Sequence, residues 1–172
     1  MIKKHSMKKY ILIILVLFVN VLAKAQSSFD SLETNTNVNA VVVNKKMFEL
    51  MAKIKVDGND TEAQNYLTLI KNLDYLRVLS TTDANTSSLL ISTANNYLAK
   101  NPLQQQATST NNGKNVKMYV KFIGKGDIVS ELLMFIEDQK NKNNITIMTL
   151  SGNFSINSIS ILTDKMNLPV NK

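Results

Sequence analysis

The chain has 172 residues, with 20 Lys+Arg against 13 Asp+Glu, one histidine and no cysteine. That composition excludes a disulfide framework, thiol catalysis and a lipid-anchoring cysteine. Five of the lysines (Lys3, Lys4, Lys8, Lys9, Lys24) fall in the first 25 residues, and removing them leaves 15 basic against 13 acidic groups. The remainder is nearly neutral and holds a single arginine, Arg77, whereas phosphate binding needs clustered Lys/Arg, so no nucleic-acid role is expected.

The first 25 residues read as a cleaved signal peptide. A basic start precedes the apolar block Ile11 to Val19, and Ala23 and Ala25 supply small residues ahead of a cut before Gln26. The apolar block is well short of the ~20 residues that span a bilayer as a helix. Cleavage would remove His5, and residues 26–172 would form one periplasmic or secreted domain with no membrane span. About 147 residues suffice for one sizeable core.

Along the mature chain, Gln26 to Asn37 is polar and reads as either a short amphipathic helix or a lead-in. Val38 to Val43 is a β-branched run with the composition of a buried strand. In Lys45 to Ile54 the apolar positions Met47, Met51 and Ile54 share one helix face. Asp57-Gly58-Asn59-Asp60 is a turn, after which Asp60 or Thr61 caps a helix carrying Ala63, Leu67 and Ile70. Tyr75 to Thr81 is a strand. Thr82 or Asp83 caps the next helix, with Leu90, Ala94 and Tyr97 inward, stopped at Asn101-Pro102.

Gln104 to Asn115 has almost nothing to bury and reads as a loop. Three strands follow as a meander: Val116 to Ile123, Val129 to Glu137 and Ile145 to Leu150, where Gly152 and Asn153 break the last. Ser155 to Met166 closes the chain as a helix with Ile159, Leu162 and Met166 inward. The expected fold is a single α+β domain of order β-α-α-β-α-β-β-β-α, with a mixed or antiparallel sheet and helices mainly on one face.

Three segments carry a family resemblance. The strand residues Val41, Val43 and Lys45 lead into a Met-Phe helix, Leu76 to Thr81 spells Leu-Arg-Val-Leu-Ser-Thr, and Leu150 to Ile156 spells Leu-Ser-Gly-Asn-Phe-Ser-Ile. Together they resemble the bacterial family called domain of unknown function 4252, over about Ser28 to Leu168. The resemblance implies a small exported α+β domain of the Bacteroidetes-type envelope, with no established activity, substrate or site. Some relatives look like lipoproteins, a pattern from which this cysteine-free chain departs.

Without His5 there is neither imidazole nor thiol, so Ser-His-Asp, Cys-His and histidine-zinc sites cannot be built. Glu131 and Glu137 share a strand side and are the carboxylate candidates for acid/base work, with a solvated sheet face as the plainer explanation. No S-x-x-K motif occurs in the mature chain. Gly124 and Gly126 lack a third glycine and read as a hairpin turn. Asp57 to Glu62 fails the calcium-loop test, having glycine at the second position and Thr68 at the twelfth. Asp30-Ser31-Leu32 fits a short O-glycosylation acceptor pattern, or an ordinary helix N-cap. Met47, Met51, Met118, Met134, Met148 and Met166 sit at apolar-periodic positions and read as core rather than as copper ligands.

No catalytic, cofactor or metal residue is therefore assigned. The residues favour a non-catalytic binding or protein-interaction domain of the cell envelope, with an envelope protein as partner. The competing readings are a small hydrolase-like enzyme using carboxylates or Ser/Lys, and a carrier of an apolar ligand. A partner would dock on an open sheet edge, expected at Val116 to Ile123 through Lys117, Tyr119 and Lys121. Oligomeric state and strand order are left open.

Overall fold

A computed structural model describes residues 28–111 and 113–165. Six strands make one sheet: β1 (Asn39–Asn44), β2 (Leu73–Thr81), β3 (Gln104–Asn111), β4 (Lys114–Phe122), β5 (Ile128–Asp138) and β6 (Ile145–Ser155). Their spatial order is β1-β2-β6-β5-β4-β3, and every pairing is antiparallel. The helices are α1 (Asp30–Glu33), α2 (Lys45–Met51), α3 (Thr61–Lys71), α4 (Ala84–Lys100) and α5 (Ile159–Lys165), the last preceded by a 3-10 turn at Ile156–Ser158. The protein is thus α+β, and its element order follows the sequence reading with α1 and β3 added.

Side chains alternate across a strand, so each strand supplies both faces of the sheet. On the first face Leu76, Val78, Val120, Leu132, Met134, Met148, Leu150 and Phe154 pack with Phe48 of α2, Leu69 and Ile70 of α3, and Ile159 and Leu162 of α5. On the second, Leu79, Leu133, Ile145 and Ile147 pack with Phe29 and Leu32 at α1 and with Leu90, Ala94 and Tyr97 of α4. Helices therefore cover both faces, where the sequence pointed mainly to one. The unbroken apolar run Leu132 to Ile136 in β5 is the signature of a strand buried on both sides.

The caps follow short-range chemistry. Asp60 accepts from the Ala63 amide and Asp83 from the Thr86 amide, each satisfying an orphan donor at the start of α3 and α4. Asp30, by contrast, is the first helical residue of α1 and not its cap.

Further expectations change. The β-branched run is β1, an edge strand, and Val41 is 53 % exposed rather than buried. The helix α2 ends at Met51 instead of reaching Ile54; Phe48 takes its core position and Met51 packs partly buried against the core, while Met47 and, past the helix, Ile54 are 44 % and 61 % exposed. The segment expected as a loop forms β3, which pairs with β4 from Gln104 to Asn111. Met166 lies outside the described residues, as do Ala23, Ala25 and Gln26.

Gly152 does not end its strand, since β6 continues to Ser155. It lies where β2 bulges at Asp74 and the Asn72 backbone closes in. A Cβ on Gly152 would collide with the Asn72 carbonyl oxygen and stand 2.9 Å from the Leu73 Cα, and its φ is +157°. The Asn153 amide donates to that same carbonyl at 2.8 Å. Glycine is required here for close approach of two backbones.

Candidate functional site

The expected docking residues lie on the second face of β4. That strand is paired on both sides, by β3 and by β5, so it is not an edge. Lys117 stands opposite Thr108 and Phe135, Tyr119 opposite Gln105 and Leu133, and Lys121 opposite Glu131. The signal that could have placed β3 is local. Asn112-Gly113 is a strong two-residue hairpin sequence; the register pairs Asn111 with Lys114, and Gly113 has φ 74°. Polar composition masks it, because threonine and glutamine in a solvated edge strand bury little.

Although no edge, this part of β4 borders a groove. Helix α4 crosses the second face over β6, β2 and part of β5, and leaves the β4 side uncovered. A groove of about 230 Å³ results, walled by Ile91, Asn95 and Leu98 of α4 and floored by Tyr119, Leu133 and Phe135 of the sheet, with Lys117 and Glu137 at its rim. The i, i+4, i+7 spacing of Ile91, Asn95 and Leu98 puts all three on one flank of α4. Glu137 is held toward Lys142, 3.6 Å away. The arrangement can seat an apolar group while offering one charge of each sign at the mouth.

Farther along the second face, Glu131 lies under α4 and accepts a hydrogen bond from the Tyr97 hydroxyl. Burial pushes its carboxyl above the ordinary value, although the tyrosine donor favours the charged form. Glu137 shares its side of β5, as expected, but six residues of strand separate them by ~20 Å. Paired glycosidase carboxylates stand about 5 to 10 Å apart. These two acids do not form such a pair.

A third feature of this face is absent from the sequence reading. Arg77 is buried, and its guanidinium holds Glu33 at 2.5 Å and Asp30 at 2.6 Å, while lying over the rings of Phe29 and Tyr75. The Tyr75 hydroxyl donates to Glu33 at 3.0 Å. These contacts pin α1 to the sheet, and Asp30, one member of the glycosylation-like tripeptide, is engaged in them. The sequence holds a hint, since a lone arginine inside an apolar strand must find acidic partners when buried.

On the first face a groove of about 270 Å³ runs between β3–β4 and the 3-10 turn with α5, lined by Ala107, Ser109, Val116, Met118, Ile156 and Ile159 among others. The acidic turn serves structure: Asp57 accepts from the Asn59 amide, and Asp60 caps α3. Among the described residues, no group of three or more His, Cys, Asp and Glu is placed to hold a metal ion. Nor is any described helix long and apolar enough to cross a membrane.

Fold and site define an antiparallel α+β domain with helices on both faces and a small groove beside α4. The chain belongs to the family described as Domain of unknown function (DUF4252), which matches residues 32–162, from α1 to α5. The three segments that carry the resemblance fall on β1 with the start of α2, on β2, and on the end of β6 with the 3-10 turn, and those three strands are adjacent in the sheet. No curated protein and no solved structure matches the chain.

Proposed function

We infer that the protein is an exported binding domain of the cell envelope, and that the groove beside α4 receives apolar side chains of a protein partner. The groove's size carries this reading. At about 230 Å³ it is smaller than the ~300–1,000 Å³ of pockets that enclose a whole small molecule. One or two side chains of an extended segment match it better than a lipid or other bulky apolar cargo, which lowers the carrier reading. Lys117 and Glu137 at the rim suit the polar backbone and flanking charges of such a segment.

A photo-crosslinking residue at Asn95, on the groove wall, tests the site in living cells, with the exposed Lys71 on α3 as control. Adducts of discrete mass at position 95 and not at 71 are expected. Equal labelling at both positions, or none at 95, would sink the proposal.

Support for export comes from the three-part leader and its Ala23 and Ala25. The mature domain then runs from Gln26 to Lys172 and lies in the periplasm or outside the cell. Mass spectrometry of the protein from those fractions should find an N-terminus at or within two residues of Gln26. A chain still starting at Met1 and sedimenting with the inner membrane would refute export by cleavage.

A further inference from the structure

The two edges of the sheet are built differently. β3 is polar, and its pairing with β4 shifts register between Gln105 and Ala107, a bulge that spoils the edge as a template. β1 has the sequence Asn-Ala-Val-Val-Val-Asn and pairs with β2 without a break from Asn39 to Asn44. It contains no proline and no charge. The lysine that borders it, Lys45, is turned onto Asp74 at 2.8 Å and so does not guard the edge. Exposed apolar side chains gather at this corner, where Val41 on β1 is followed by Met47, Leu50 and Ile54 in and just after α2. Within α2, Met47 and Leu50 lie three residues apart on one flank, away from the Phe48 that enters the core.

We propose that β1 pairs with β1 of a second copy of this chain, joining two six-stranded sheets into one across a two-fold axis. The geometry is self-consistent. A two-fold axis perpendicular to the sheet keeps each face on its own side, so odd residues must oppose odd residues and even oppose even. Centred on Val41, the register sets Val41 against Val41, Ala40 against Val42 and Asn39 against Val43. It stops short of Asn44, which is occupied in capping α2 through the Met47 amide. An uncharged strand meets its own copy with no like-charge repulsion. The same axis brings the two α2 helices to one face of the joined sheet, each presenting its exposed Met47 and Leu50 flank. The groove beside α4 borders β4, toward the opposite side of the sheet, so dimerisation leaves two grooves open for a partner.

The absence of cysteine makes a clean test. In an antiparallel pair, directly opposed Cα atoms lie ~4.5–5.5 Å apart, within reach of a disulfide. The full chain, expressed with its own leader and purified, should have twice the monomer mass by light scattering. V41C should then yield a covalent dimer on mild oxidation, and L89C, exposed on α4, should not. V41K places two lysines across the axis, and is expected to raise the dimer dissociation constant about tenfold or more. Because Val41 is solvent-exposed in the monomer, the unfolding midpoint of dilute V41K should match that of dilute wild type. A monomeric wild type, a dimer unaffected by V41K, or equal crosslinking of V41C and L89C would each overturn the proposal.

Discussion

Arg77 and Glu131 show opposite outcomes of burying charge on the same face of the sheet. Arg77 is desolvated but gains two carboxylates and two aromatic rings, so its removal leaves Glu33 half-covered beside a void. Arg77→Met should lower stability by about 2–4 kcal/mol in urea unfolding, toward the lower end of breaking a buried pair because Asp30 is largely exposed. Asp30→Asn should cost less than about 1 kcal/mol. Glu131 has only the Tyr97 hydroxyl, and burial raises its pKa from the ordinary 4.5. The folded state therefore holds this proton more tightly than the unfolded chain. The stabilising effect is complete below the unfolded value and is lost as pH rises through the folded one. Glu131→Gln should melt above wild type at pH 7, and the difference should close as pH falls toward 4. A difference unchanged across thermal scans from pH 4 to 7 would place Glu131 in water.

Among the elements, β6 depends on one glycine. The +157° φ of Gly152 and the close approach of the Asn72 carbonyl oxygen leave no room for a side chain, and the obstacle is backbone. Gly152→Ala should destabilise by about 2–3 kcal/mol, from overpacking and strain together. Its effect should exceed that of Gly58→Ala, where nothing lies within 4 Å of the added carbon. Denaturant midpoints of the two variants check the ranking. Short-range signals make most elements readable: Asp60 and Asp83 cap where the sequence puts caps, and Leu90, Ala94 and Tyr97 of α4 are all buried. Periodicity is only a partial guide at α2: of Met47, Met51 and Ile54, Met51 alone packs against the core, beside the fully buried Phe48, and the helix ends before Ile54.

For the whole molecule, the decisive fact is that β3 closes one side of the sheet and makes β4 internal. Tyr119→Pro then deletes a backbone donor and inserts a ring between two paired strands. It should unfold the protein or cost about 3 kcal/mol or more, instead of silencing a partner contact in an intact fold. Circular dichroism and a denaturant titration distinguish the outcomes, and a fully folded variant of wild-type stability would contradict the β3–β4–β5 pairing.

Whatever depends on near neighbours is legible in the residues alone. Alternation in Val116, Met118, Val120 and Phe122 marks a strand, helical spacing marks α3 and α4, and Val41, Val43 and Lys45 with Leu76 to Thr81 and Leu150 to Ile156 point to the family. Missing reagents are equally legible, because a chain without cysteine cannot use a thiol whatever its fold. Folding in three dimensions settles the rest: which strand is an edge, which face each helix covers and how far apart two acids stand. Strand order and helix placement are long-range choices, fixed by the whole set of apolar surfaces that must be buried together. The groove beside α4 exists because that helix stops short of β4, and no residue in α4 or β4 records that gap alone.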